Sequence, residues 1–388
     1  MMLVPFVGAD TGEKEAYYQS VFAQIPPVVT PSGITHTFHA NDTNLFYSPF
    51  VWHINATAAS TINSGAYVRL LFSGTFLNFM FDVTNMVTPT SELYWRVDNG
   101  PATVSLVRPR VTVVIPPNNT ANTVPFHTVE LMVKSTTERA NRWASSGNST
   151  RVILTGIETD GSIAPWIPSD VNVLIYGDSI TEGVLTLGGS QKYDTDHNDA
   201  KMVYSFVLGR LLGAEVGVVG FGYNALTHPG SGGVPPLGEA WNQLWESVPR
   251  SFTTPRPDLI VLNEGTNDGC DVTGPGCVGT DISVPLAAVL NDLSGACPGI
   301  PIAVLLPFNG GQAGHILAVI KQVDSPHIHF INTTGFYDLH YGGSLHPTGP
   351  NDVARIAPQI ARRLRPLLAK SILSRSDSIP MAEDPAAH

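Results

Sequence analysis

Cysteine is scarce in this chain of 388 residues, with three in all. None stands in a C-x-x-C pair or a His/Cys cluster of zinc-binding spacing, so no metal site is expected and a disulfide-dense scaffold is excluded. Basic residues are also few: 21 Lys and Arg stand against 32 Asp and Glu, a formal charge of -11. Such a surface repels phosphate backbones, and no basic patch offsets it, which argues against a nucleic-acid partner. The densest basic run, at Arg362, Arg363 and Arg365, falls on the solvated face of a predicted amphipathic helix. No run of 18 apolar residues occurs, so no membrane span is expected. The opening MMLVPFVGADTGEKE has too short an apolar run and no basic n-region for a complete secretory signal.

What is present suits a globular protein of two domains: 43% apolar and 14% charged residues, over a length at which cores divide. N-x-Ser/Thr sequons stand at Asn41, Asn55, Asn118, Asn148 and Asn332. They favour a secreted eukaryotic glycoprotein numbered without its leader, the alternative being an intracellular protein with accidental sequons. In an oxidising compartment Cys270 and Cys277, which bracket DVTGPG, have the spacing to close a small disulfide loop; Cys297 is then a buried free thiol. Nothing in the sequence sets an oligomeric state.

After an extension over residues 1–29, residues 30–165 alternate apolar and polar positions in many short runs. GAYVRLLFSGTFLNFMFDV carries Val68, Leu70 and Phe72, then Leu77, Phe79 and Phe81, and reads as a hairpin about a glycine turn. SELYWRVDNG, VSLVRPRVTVVI, HTVELMVKS and RVILTGIET read the same way, predicting an antiparallel, jelly-roll-like β-sandwich. GSIAPWIPSD reads as a linker.

From residue 166 to 370 the period changes. VNVLIYGDS, AEVGVVG, PDLIVLNEG, IPIAVLLPF and HIHFINT are nearly continuous apolar strands, as expected where both faces are covered. They alternate with predicted helices at KMVYSFVLGRLLG and near 237–248, 281–293, 313–323 and 351–370. The pattern predicts a three-layer α/β/α sandwich on a parallel sheet, with its ligand site beyond the carboxyl ends of the strands. Residues 371–388 read as a disordered tail.

That rule directs attention to Ser179, which follows a strand and opens a helix, where unpaired N–H groups favour an alkoxide and an oxyanion. Four blocks then stand in order: Gly177-Asp178-Ser179 with Glu182-Gly183, a glycine in GVVGFGYN, Gly265-Thr266-Asn267-Asp268, and His346-Pro347. On these blocks the chain resembles the SGNH/GDSL hydrolases, whose fold is flavodoxin-like. The order of a sandwich followed by an SGNH domain is similar to carbohydrate esterase family two.

The resemblance implies a serine esterase. Ser179 would be its nucleophile and His346 its general base, with the N–H groups of Ser179 and Gly220 and the Asn267 amide as oxyanion donors. Gly222 competes with Gly220. No metal or organic cofactor is implied, and the substrate class is an acetylated polysaccharide or small ester. The alternatives are a general lipase or aryl-esterase, and a decayed glycan-binding protein. Most members place an aspartate three residues before the histidine; here that residue is Gly343. The nearest upstream aspartate is Asp338, so either Asp338 or a backbone carbonyl orients His346, and His340 competes for the base role. Asp178 and Asp268 read as caps or braces, and Glu264 as a buried, hydrogen-bonded support. Trp241 and Trp245, four apart on a predicted helix, read as core or as a sugar platform.

Overall fold

The computed structural model describes residues 35–98, 100–115, 126–188, 194–268, 280–337, 345–347 and 349–377. The predicted extension over residues 1–29 and the end of the predicted tail lie outside them. The first unit comprises β1 (His36–His39), β2 (Phe46–Tyr47), β3 (His53–Ile54), β4 (Ala59–Thr61), β5 (Tyr67–Ser73), β6 (Phe76–Phe81), β7 (Glu92–Val97), β8 (Thr103–Leu106), β9 (Arg110–Val114), β10 (His127–Ser135), β11 (Val152–Thr159) and β12 (Ser162–Ala164). Two antiparallel sheets result, one ordered β3-β4-β11-β6-β9 with β1 on β11, the other β12-β5-β10-β7-β8 with β2 on β5. This is the sandwich that the alternation predicts.

The hairpin expected of β5 and β6 does not form. β5 pairs with β10, β12 and β2, whereas β6 pairs with β11 and β9 in the opposite sheet. Asp160 holds the intervening corner, accepting the Thr75 and Phe76 amides at 2.9 and 3.1 Å. Val68, Leu70 and Phe72 thus join Leu77, Phe79 and Phe81 in one core from two layers. Alternation fixed which face each strand buries, but an identical alternation serves a hairpin and a corner between sheets. VSLVRPRVTVVI likewise divides into β8 and β9 in different sheets, and the start of the expected linker is β12.

The second unit contains β13 (Asn172–Gly177), α1 (Ser179–Glu182), α2 (Asp194–His197), α3 (Tyr204–Leu212), β14 (Glu215–Gly220) and α4 (Leu237–Ala240). It continues through β15 (Gln243–Trp245), β16 (Val248–Pro249), β17 (Leu259–Asn263), α5 (Ser283–Ala296), β18 (Ile302–Leu305), α6 (Ala313–Val323), β19 (Ile328–Ile331) and α7 (Gly349–Asp377). Its parallel sheet has the order β14-β13-β17-β18-β19, the flavodoxin-like doubly wound arrangement. α7 runs seven residues into the segment read as a disordered tail, because Ser371 is still buried there.

The helix expected over 237–248 stops at Ala240, and the chain turns into the β15–β16 pair. Arg250 is the reason. Its side chain donates to the carbonyls of Trp241 and Gln243, at 3.2 and 2.6 Å, and to that of Phe50. Carbonyls that a helix would satisfy internally are satisfied by a guanidinium instead. Trp245 is therefore core, under Arg151 at 4.3 Å and against His53 at 5.7 Å, and Trp241 packs on Phe252 at 5.4 Å.

The two units share polar as well as apolar contacts. Lys134 of β10 donates to the carbonyls of Thr195 and Asn198 at 2.8 and 2.9 Å, and Tyr67 and Arg69 of β5 reach Glu215 at 2.5 and 2.8 Å. No described helix is long and apolar enough to cross a membrane.

Candidate active site

Gly177 of β13 lies in register with Gly220 of β14 on one side and Asn263 of β17 on the other. Three adjacent strands thus end together, and the residues after them converge beyond the carboxyl edge of the sheet. Asp178 caps α1, its carboxylate accepting the Ile180 amide at 2.9 Å, and Ser179 is the first helical residue. The single turn is too short to stand alone. Its brace comes from behind: Ser205 Oγ donates to the Thr181 carbonyl at 2.7 Å, and the hydroxyls of Thr181 and Tyr204 meet at 2.7 Å. Asn263 Nδ2 also donates to Tyr204, at 2.8 Å.

His346 Nε2 lies 2.8 Å from Ser179 Oγ. The Tyr337 hydroxyl donates to the His346 carbonyl at 3.0 Å, fixing the backbone that carries the ring. Burial lowers the imidazole pKa to about 4. The ring is therefore neutral at pH 7, the state that can accept a proton.

Asn267 lies on the loop after β17. Its side-chain amide donates one N–H to the Asn224 carbonyl at 2.9 Å, which leaves the second N–H of the same nitrogen. Of the two candidate glycines, Gly222 already donates its N–H to Glu182 Oε2 at 2.7 Å. Gly220 presses on the backbone of α1: a Cβ there would stand 2.6 Å from the Glu182 nitrogen. Among the described residues no group of three or more His, Cys, Asp or Glu side chains is placed to hold a metal ion.

Three buried carboxyl groups lie behind these residues. Asp268 accepts the amides of Leu226 and Thr227 at 3.2 and 2.9 Å and the Thr227 hydroxyl at 2.7 Å, so it braces the neighbouring loop as expected. Burial raises the Asp178 pKa to about 6. Glu264 departs from expectation: it is buried, but neither carboxyl oxygen has a hydrogen-bond partner among the described residues. Burial, with the nearby charges of Asp178 and Asp268, pushes its carboxyl well above the usual range.

Two features had no sequence signal. Tyr223 is 59% exposed and sits at φ 61° in the turn between Gly222 and Asn224, against His228 at 5.4 Å. A bulky side chain in the left-handed region is uncommon, and such strain concentrates at functional sites. Glu138, from the sandwich, reaches the same turn. A Cβ on Gly222 would fall 1.1 Å from Glu138 Oε1, and burial with the neighbouring Glu182 charge raises the Glu138 pKa to about 8.

Asp338, His340, Gly343, Cys270, Cys277 and Asn118 lie outside the described residues. Asn41, Asn55, Asn148 and Asn332 are exposed, and Cys297 is a buried free thiol.

No family model matches the chain, and no curated protein matches it. Solved structures do. A family two carbohydrate esterase from Cellvibrio japonicus superposes with a TM-score of 0.69 at 19% identity, covering 87% of this chain and 98% of that one. One from Clostridium thermocellum, in complex with cellohexaose, gives 0.67 at 17%, covering 84% and 99%. A family two enzyme with a carbohydrate-binding domain from Corynascus thermopiles (Myceliophthora fergusii) gives 0.63 at 20%, covering 84% and 99%. The chain therefore has the two-part fold of these esterases over nearly their whole length.

Proposed function

We propose that the chain is a serine esterase that removes acetyl groups from an acetylated plant polysaccharide or oligosaccharide through an acyl-enzyme on Ser179. The observation that carries this reading is the 2.8 Å contact between a neutral, half-buried imidazole and a serine hydroxyl at the start of a helix. As Ser179 Oγ attacks the ester carbonyl, His346 Nε2 takes its proton. The tetrahedral oxyanion is met by the backbone N–H groups of Ser179 and Gly220 and by the free N–H of Asn267 Nδ2. The carbon–oxygen bond to the sugar then breaks, and His346 returns the proton to the leaving hydroxyl. Water, losing its proton to the same ring, attacks the acyl-enzyme and releases acetate.

A sugar leaving group fits the surroundings. Tyr223 offers an exposed ring at the adjoining turn, the kind of face on which a pyranose packs. The solved family two esterases support the same class, one of them holding cellohexaose. The exposed sequons support an extracellular setting.

Acetate release from acetylated xylan and glucomannan tests the reading. Ser179→Ala abolishes it, and His346→Ala lowers it by about a thousand-fold or more. Hydrolysis that survives Ser179→Ala removes the nucleophile. A preference for long-chain over acetyl p-nitrophenyl esters removes the acetyl assignment and favours a general lipase.

A further inference from the structure

Glu182, in the turn that begins with Ser179, has partners from three separate segments. It is 1% exposed. Its Oε1 receives Arg142 Nη1 at 2.7 Å and the Ser64 hydroxyl at 3.3 Å, and its Oε2 receives the Gly222 amide at 2.7 Å. Ser64 and Arg142 belong to the sandwich, Gly222 to the loop after β14. Arg142 is fully buried, its own amide donates to the Gly232 carbonyl at 2.9 Å, and its guanidinium lies 5.6 Å from the Phe221 ring.

Taking both ions out of water is costly, and their attraction offsets that cost only with good geometry and further hydrogen bonds. As a stability device the pair is replaceable by apolar packing. Its distinctive consequence is geometric. From Arg142 the contacts run to Glu182, then to the Gly222 amide. The Gly222 carbonyl accepts the Ser231 amide at 2.7 Å, and the Asn224 amide closes the turn on the Phe221 carbonyl at 3.1 Å. The Asn224 carbonyl in turn accepts the Asn267 side-chain amide at 2.9 Å.

Resting on the esterase reading above, we infer that Arg142 of the sandwich is a positioning residue for the hydrolytic site. By holding Glu182 it sets the Gly222–Asn224 turn, and through it the Asn267 amide, relative to the helix that carries Ser179. The sandwich then contributes to catalysis without touching the ester. With Arg142 gone, Glu182 becomes an uncompensated buried carboxylate, the turn is released, and the oxyanion donors lose their aim. p-Nitrophenyl acetate carries no sugar to meet Tyr223 on that turn, so with this substrate the loss falls on kcat and leaves KM in place.

The test uses the full chain and p-nitrophenyl acetate, with Ser179→Ala as control and Arg142→Lys and Arg142→Met as variants. Lysine keeps the charge and loses the planar fork, so it is the variant expected to fold. For Arg142→Lys the expected result is a kcat lowered about 10-fold with KM within about 3-fold. Hydrogen exchange across residues 220–228 is faster than in the wild type. Arg142→Met, where it folds, loses about 100-fold in kcat. An unchanged kcat in Arg142→Lys, a loss confined to KM, or unchanged exchange over 220–228 overturns the proposal. Wild-type turnover that Ser179→Ala does not abolish, or no turnover at all, overturns the esterase reading instead. The exchange measurement still decides whether Arg142 holds the turn.

Discussion

His346 Nε2 stands 2.8 Å from Ser179 Oγ although 167 residues separate the two in the chain. One comes from the turn after the first parallel strand, the other from the approach to the last helix, and the sheet order brings both to the same edge. Everything proposed for the site follows from that approach.

The acidity of His346 gives a first prediction. Catalysis needs the neutral ring, so with a pKa of about 4 the value of kcat/KM is flat above pH 5 and falls tenfold per pH unit below about 4. Stability follows the same sign: the folded pKa is below the unfolded value, so this group's contribution is present above pH 6.5 and is lost as the pH falls from about 6.5 to 4. A pH–rate profile of p-nitrophenyl acetate hydrolysis checks the catalytic limb. An acid limb near pH 6.5 would mean that a carboxylate faces the ring, and an Asp338→Ala loss far beyond a few-fold would name it.

Gly220→Ala and Gly222→Ala should differ. At Gly220 the new Cβ meets backbone, 2.6 Å from the Glu182 nitrogen, and nothing nearby can rotate away. At Gly222 it meets the end of the flexible Glu138 side chain. Gly220→Ala is expected to lower kcat by about 100-fold or to prevent folding, and Gly222→Ala to cost within about 10-fold. Parallel kinetics and thermal melts decide, and equal effects would reject the distinction.

Glu264 carries a prediction on stability against pH. Its folded pKa lies above the unfolded one, so its contribution is complete below about pH 4.5 and is lost as the pH rises toward the folded value. Glu264→Gln keeps the shape and cannot ionise. Its Tm should match the wild type near pH 4 and exceed it by a margin that grows toward pH 8. A constant difference across that range would show that Glu264 does not titrate on unfolding.

Tyr223→Ala separates sugar from ester recognition. The ring is exposed at the turn and is not bonded to Ser179 or His346, so hydrolysis of p-nitrophenyl acetate should stay within about 2-fold. KM for acetylated xylo-oligosaccharides should rise about 10-fold, the loss expected of one aromatic platform. Unchanged oligosaccharide kinetics would remove Tyr223 from the substrate path.

The sequence alone determined the order and type of most elements, because strand and helix periods differ and continuous apolar runs require a sheet covered on both faces. It also marked Ser179, Asn267 and His346, through the motif blocks that carry the family resemblance and their place near the ends of parallel strands. Only the tertiary structure decided that β5 and β6 lie in opposite sheets, because alternation sets a buried face and not a pairing partner. The Trp241–Trp245 segment leaves its helix for a guanidinium supplied by Arg250, a contact that helical spacing does not encode. The same holds for Arg142 and Glu182: a charge pair that joins the two units through residues 40 positions apart in the chain has no period to betray it. It exists because folding removes both side chains from water at one point, where each is the other's partner.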